Sequence, residues 1–71
     1  MDILVVEDDP CVAPVIESSI EKWNHQAETL SSGRAALRRL RQRRFDLVLV
    51  DIYLPDCMGH ELIPRFKEIW P

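Results

Sequence analysis

The chain has 71 residues, which limits it to one small domain near the lower end of what folds alone. Hydrophobic residues make up 46% and charged residues 30%, a globular composition that excludes disordered and collagen-like chains. Twelve acidic and nine basic residues give a net charge of −3, which disfavours a whole-molecule nucleic-acid binder. No apolar run approaches the roughly 20 residues of a membrane span, and the acidic N-terminus is unlike a signal peptide. A soluble cytoplasmic chain is therefore expected.

The first strand and helix are predicted from residues 3–23. Residues 3–6 are continuously aliphatic, which is typical of a strand buried on both faces in a parallel sheet. Asp9 and Pro10 form a plausible N-cap and first-turn pair, so we expect the helix to begin there and to run to Trp23. Pro14 is tolerated only in or near the first turn, or if the helix starts later than Pro10. We expect Trp23 to pack against the sheet or an interface.

A weaker strand pattern and an arginine-rich helix follow. Residues 26–30 suit a strand at the edge of a sheet, and Ser32 with its neighbours can cap the next helix. Six arginines lie between positions 34 and 44. We interpret them as a solvated helix face rather than a nucleic-acid patch, because no aromatic residues interleave and the net charge is negative.

A second fully apolar strand is predicted at residues 47–50, and it stops at Asp51. Pro55 and Gly59 indicate a loop over residues 53–59. A third helix is expected over residues 61–70, with Pro64 in its first turn. Short apolar strands that alternate with helices predict an α/β fold with a parallel sheet and right-handed crossovers.

Acidic residues follow both apolar strands: Glu7, Asp8 and Asp9 after the first, and Asp51 after the second. Parallel strands end at one edge, and neighbouring strands lie about 4.8 Å apart, so these carboxylates should be crowded. Crowding raises their pKa values unless a cation neutralises them, and Mg²⁺ suits few carboxylates with several waters. One carboxylate left to attack would suit phosphoryl transfer. An acid after a strand is often only a helix cap, and we interpret Asp9 in that way.

Two segments of the chain resemble a known family. Residues 3–10, Ile-Leu-Val-Val-Glu-Asp-Asp-Pro, resemble the opening of receiver domains of two-component response regulators. Residues 47–59 resemble the phosphorylation segment of these domains, Asp-x-x-x-Pro-x-x-x-Gly after an apolar strand. The resemblance implies a flavodoxin-like (CheY-like) parallel sheet in which residues 1–71 form a partial receiver domain, with three βα units in strand order 2-1-3.

The resemblance also implies roles for individual residues. Asp51 corresponds to the phosphoacceptor, which takes a phosphoryl group from a phosphohistidine of a sensor histidine kinase. Glu7 and Asp8 correspond to the acid pair that holds Mg²⁺ together with Asp51, with Asp8 favoured as the direct ligand. The backbone carbonyl of Tyr53 corresponds to a further metal ligand. The module would not be an enzyme with turnover.

Other functions remain open at this point. The switch hydroxyl and the phosphate-binding lysine of the family follow its fourth and fifth strands and have no counterpart here. A truncated receiver could instead self-associate or dock on a kinase without productive phosphorylation. The chain could also be a fragment of a longer regulator, whose separate output domain would then carry any nucleic-acid binding. Residues 47–50 would form an apolar edge of the sheet, and exposed edges of this kind recruit another chain. We therefore expect a homodimer or higher assembly through the third strand.

Overall fold

The computed structural model describes residues 1–51 and 53–69 and shows strands and helices in strict alternation. The elements in chain order are β1 (Asp2–Val6), α1 (Ala13–Lys22), β2 (Gln26–Leu30), α2 (Gly33–Gln42), β3 (Leu47–Val50) and α3 (Gly59–Ile69). None of the helices in these two segments is long and apolar enough to span a bilayer.

The strands form one parallel sheet in the order β2-β1-β3, which confirms the predicted fold class and strand order. Val6 at the end of β1 lies opposite Leu30 on one side and Val50 on the other. The backbone pairing continues one residue beyond this row. The Glu7 amide donates to the Leu30 carbonyl, and the Asp51 amide donates to the Val6 carbonyl, both at 2.9 Å. Glu7 and Asp51 therefore leave the sheet at the same level.

The central strand β1 supplies half of the buried core. Its residues from Ile3 to Val6 are at most 4% exposed, because the sheet is covered on both faces where β1 runs. Leu4 and Val6 pack with Ala36 and Leu40 of α2, and α3 adds its apolar side to the same cluster. This packing explains the unbroken aliphatic sequence of β1.

Helix α1 covers the opposite face of the sheet less completely. Its Ile16 lines a small cavity with Val5 and Leu49, and α1 itself has no fully buried residue. On β3, Leu47 is 42% and Leu49 is 39% exposed. The predicted apolar edge at β3 is therefore present in this chain.

The expected start of α1 at Asp9 and Pro10 is wrong. The helix begins at Ala13, and its N-cap residue Val12 makes no side-chain capping bond. The Asp9 carboxylate instead accepts the Cys11 amide at 2.8 Å, which closes a tight turn before the helix. Pro14 consequently lies in the first turn, where its missing amide costs no helical hydrogen bond.

Two further local expectations are corrected. Helix α3 begins at Gly59, two residues earlier than expected, so Pro64 lies inside the helix rather than in its first turn. Trp23 is 76% exposed, so it does not pack on the sheet, and its packing at an interface stays a prediction. It follows the last residue of α1 and precedes Asn24, whose left-handed backbone (φ 65°) turns the chain toward β2. The expected helix end at Trp70 lies outside the described residues.

Candidate functional site

Three acidic side chains meet at the carboxyl edge of the sheet, and we call Glu7, Asp8 and Asp51 the acidic cluster. One carboxylate oxygen from each residue lies within 4.8 Å of the other two. Glu7 and Asp51 are half-buried, whereas Asp8 is exposed. The strand register produces this arrangement, because Val6 and Val50 are partners and the next residue on each strand is an acid. The structure thus brings together the three side chains that the sequence singled out.

The carboxylates of the acidic cluster repel one another. The pKa of Glu7 is raised above its ordinary value, first by a hydrogen bond with the Asp51 carboxyl, then by burial and by repulsion from Asp51. The Asp8 amide donates to Glu7 Oε2 at 3.1 Å and partly offsets this rise. Repulsion from Asp51 therefore favours the protonated form of Glu7, and a bound cation would relieve the same repulsion.

The donor set of the acidic cluster fits Mg²⁺. All three donors are hard carboxylate oxygens, and the exposure of Asp8 leaves one side of the cluster open for water ligands. Mg²⁺ keeps several waters and is commonly held by one or two carboxylates. Asp9 does not belong to this group, because its carboxylate is engaged with the Cys11 amide.

A short hairpin follows Asp51, and we call residues 53–58 the loop hairpin. Tyr53 and Met58 form an antiparallel bridge, and the Leu54 amide donates to the Cys57 carbonyl at 3.2 Å. The Tyr53 amide donates to Asp51 Oδ1 at 3.3 Å, so the hairpin backbone reaches the acidic cluster. The Tyr53 side chain is 71% exposed. The role of the Tyr53 carbonyl as a metal ligand stays a prediction.

Asp56 at the tip of the loop hairpin is a site residue that sequence reasoning missed. Its Oδ1 accepts the Gly33 amide and its Oδ2 accepts the Arg34 amide, each at 2.9 Å. These bonds, led by the one from Arg34, lower the pKa of Asp56. No local pattern could reveal the contact, since the partners are more than 20 positions away. The sequence offered one signal for this contact, the carboxylate of Asp56 beside Pro55 in a turn, because a carboxylate can cap the start of a helix.

The comparison with known protein families decides the identity of the domain. The model of the response regulator receiver domain matches residues 3–71. The chain belongs to the receiver domain family.

The receiver's relatives agree with this assignment. It is 34% identical over 66 residues to the transcriptional regulatory protein AfsQ1 of Streptomyces coelicolor, a match that covers 93% of the receiver and 29% of AfsQ1. It is also similar to the receiver domain structure from Methylobacillus flagellatus, with a TM-score of 0.91 and 31% identity over 94% of the receiver and 57% of that chain. The receiver thus spans under a third of the length of AfsQ1.

Two other solved structures bear on the site. The receiver domain of sensor histidine kinase PA1611 from Pseudomonas aeruginosa holds a magnesium ion in its active site cleft; the TM-score is 0.81 at 31% identity, over 86% of the receiver and 50% of that chain. The complex of histidine kinase ThkA with response regulator protein TrrA matches with a TM-score of 0.89 at 27% identity, over 94% and 58%. Receiver domains are generally signalling modules rather than enzymes, and they interact with sensor histidine kinases.

Proposed function

We propose that this receiver is the phosphoacceptor module of a two-component phosphorelay, with Asp51 as the residue that takes the phosphoryl group. The observation that carries the proposal is the approach of Glu7, Asp8 and Asp51 to within 4.8 Å at the carboxyl edge of the sheet. Open parallel sheets bind their ligands at that edge. The partner is a sensor histidine kinase, and the product is an aspartyl phosphate.

The transfer needs a nucleophile and a means of neutralising charge. An Asp51 carboxylate oxygen attacks phosphorus, a new O–P bond forms, and the P–N bond to the kinase histidine breaks. The Tyr53 amide, 3.3 Å from Asp51 Oδ1, orients the attacking carboxylate. Glu7, Asp8, Asp51 and the Tyr53 carbonyl would hold Mg²⁺, which would neutralise charge on the phosphoryl oxygens.

Protonation of Glu7 should compete with cation binding. The raised pKa of Glu7 comes first from its hydrogen bond with the Asp51 carboxyl, so the folded chain favours a proton on Glu7. The cation and that proton compete for the same oxygens. Mg²⁺ binding should therefore release protons and weaken as the pH falls.

A second candidate function, self-association, is favoured by a specific surface. β3 lies at the edge of the sheet in this chain, and its Leu47 and Leu49 are 42% and 39% exposed. An exposed apolar strand edge is a template for pairing with another chain. We propose a homodimer or higher assembly through β3, which could act in kinase docking without phosphorylation. A monodisperse monomer at high concentration in analytical ultracentrifugation would contradict it.

The remaining assignments follow from the same proposal. We propose that residues 1–71 form a partial receiver domain without enzymatic turnover, and that any nucleic-acid binding belongs to a separate output domain. We place the module in the cytoplasm, where kinases supply phosphoryl groups. Cys11 and Cys57 are both free thiols, in keeping with a reducing compartment.

A chemical experiment tests the phosphoacceptor role. The chain is incubated with a small-molecule phosphodonor and Mg²⁺, and its intact mass is measured beside that of Asp51→Asn. We expect one phosphate adduct on the wild-type chain and none on the variant. A folded wild-type chain that gains no adduct with Mg²⁺ present would contradict the role and leave association as the favoured function.

A further inference from the structure

The Asp56 side chain links the loop hairpin to the start of helix α2 by two hydrogen bonds. The amides of Gly33 and Arg34 are the first two of α2, and such amides have no acceptor within their own helix. Each donates to a different oxygen of Asp56 at 2.9 Å. The next amide, from Ala35, is accepted by the capping hydroxyl of Ser32 at 3.2 Å. The start of α2 therefore has one local cap and one cap from the hairpin tip.

The close packing of side chains against Gly33 supports the same contact independently. Gly33 is buried, and a Cβ at this position would lie 2.5 Å from Cys57 Sγ and 2.8 Å from Leu62 Cδ1. Both distances are too short for real atoms, so a side chain at position 33 would require the Cys57 and Leu62 side chains to shift. The tip of the hairpin is thus held on α2 by two hydrogen bonds from Gly33 and Arg34 and by the packing of Cys57 against Gly33.

The other end of the loop hairpin reaches the acidic cluster. The Tyr53 amide donates to Asp51 Oδ1, and Tyr53 is bridged to Met58 across the hairpin. Pro55 and Asp56 occupy the central positions of the turn between Leu54 and Cys57, where proline is favoured at the first of them. The hairpin backbone therefore connects the contact of Asp56 on α2 with the Asp51 carboxylate.

We propose that Asp56 is a positioning residue, which holds the hairpin tip on α2 and thereby sets the Tyr53 backbone beside Asp51. Asp56 acts through the hairpin and does not touch the reacting atoms. Its consequence for Mg²⁺ binding rests on the proposed function, whereas its effect on the Tyr53 backbone does not. The two parts are separated by measuring the chain with and without metal.

The first measurement is amide hydrogen exchange of the metal-free chain by NMR. In Asp56→Ala, the Gly33 and Arg34 amides should exchange roughly tenfold faster, because each loses its acceptor. The Tyr53 amide should also exchange several-fold faster, since the hairpin is released. Asp56→Asn keeps one acceptor oxygen and should show a smaller change at Tyr53. If Asp56→Ala fails to fold, Asp56→Asn carries the comparison.

Ser32→Ala is the matched control, because it removes a cap from the same turn of α2 without touching the hairpin. It should speed exchange at Ala35 and leave Tyr53 unchanged. A Tyr53 exchange rate in the Asp56 variants that equals the rate in Ser32→Ala would overturn the positioning role, because a purely structural cap would act in this way.

The second measurement is a titration with Mg²⁺ alone. Outer-shell partners of a metal are commonly worth 10–100-fold in affinity, and we expect a rise in Kd of roughly tenfold in Asp56→Ala. Ser32→Ala should bind as the wild-type chain does. Equal Kd values in the two variants would overturn the effect of Asp56 on the metal. A wild-type chain that binds no Mg²⁺ would contradict the proposed function, while the exchange experiment still decides the positioning role.

Discussion

Negative charge is neutralised by arginines in one part of the molecule, whereas carboxylates lie against one another in the acidic cluster. Toward the amino edge of the sheet lies the arginine cluster, which consists of Asp2, Glu28, Arg39, Arg43 and Phe45. Arg39 binds both oxygens of Glu28 at 2.6 and 3.0 Å, and Arg43 binds Asp2 at 2.8 Å. The Arg43 guanidinium also lies 4.4 Å from the centroid of the Phe45 ring.

The difference between the clusters separates structural acids from functional ones. The arginine cluster contains two ion pairs, one between Arg39 and Glu28 and one between Arg43 and Asp2. In the acidic cluster the chain instead raises the pKa of Glu7 by placing it against Asp51. Acids that arginines of the same chain neutralise stabilise the fold. We propose that the acids brought together at the carboxyl edge of the sheet form a site for a cation from solution.

The largest expected effect is the loss of a proposed metal ligand. Asp8→Asn removes one negative charge and one hard oxygen from the acidic cluster, and Mg²⁺ affinity should fall by about 100-fold, the upper end for residues around a metal. Isothermal titration calorimetry measures the affinity. Arg43→Gln, at the other cluster, should bind Mg²⁺ with unchanged affinity. Equal losses in both variants would break the distinction between the clusters.

Helix α2 carries Arg39 of the arginine cluster and begins at Gly33, beside the loop hairpin. The substitution Gly33→Ala tests the packing at this helix start. The new methyl group would overlap Cys57 Sγ and the Leu62 methyl groups, so these two side chains must shift. We expect the free energy of unfolding to fall by about 1–3 kcal/mol, as in other overpacked sites. Urea unfolding measures this change. A gain in stability would mean that the better helix propensity of alanine outweighs the contact.

The pH dependence of stability should differ in sign between Glu7 of the acidic cluster and Asp56 of the loop hairpin. The pKa of Glu7 is raised in the folded chain, so the folded state holds the proton more tightly than the unfolded state does. The stability of the metal-free chain should therefore rise as the pH falls from neutral through the raised pKa of Glu7. This gain levels off below its ordinary value of 4.5.

Asp56 opposes this trend at lower pH. Its lowered pKa contributes stability that is present above its ordinary value of 3.8 and is lost on further acidification. Urea unfolding across this range, with Glu7→Gln as the control, measures both contributions. The control should lack the rise between neutral pH and 4.5. A wild-type curve that falls steadily from neutral pH would contradict the account of Glu7.

The smallest expected effect belongs to the arginine cluster. Arg43→Gln breaks a half-exposed ion pair with Asp2 and a contact with the Phe45 ring. The free energy of unfolding should fall by about 1 kcal/mol, and the difference should shrink at high salt because exposed charges are screened. Denaturant unfolding at two salt concentrations checks this. A loss that does not depend on salt would assign the effect to packing of the arginine stem.

Sequence patterns predicted the sheet and the acidic cluster because both follow from local signals. The aliphatic runs at residues 3–6 and 47–50 located β1 and β3, and the acids that follow them located the cluster. Ser32 was identified as a cap because its acceptor role lies within one helical turn. The match of the receiver model to residues 3–71 agrees with these motifs.

The errors arose where a local signal could be satisfied in more than one way, and the omission arose where the partners lie far apart in the sequence. Asp9 and Pro10 have the local character of a helix start, yet Asp9 closes a turn and α1 begins at Ala13. Pro64 was expected in the first turn of the third helix, but α3 begins at Gly59 and Pro64 lies inside it. Within this longer helix, Leu62 is buried beside Gly33 of α2. The role of Asp56 was missed because its partners belong to another helix.

We expect a divalent cation to complete the acidic cluster. Urea unfolding of the wild-type chain in MgCl₂ and in NaCl of equal ionic strength tests this expectation. At a Mg²⁺ concentration of about 100 times Kd, specific binding should raise the free energy of unfolding by about 2.7 kcal/mol. Asp8→Asn should lose most of this gain. Equal stability of the wild-type chain in the two salts would contradict this expectation.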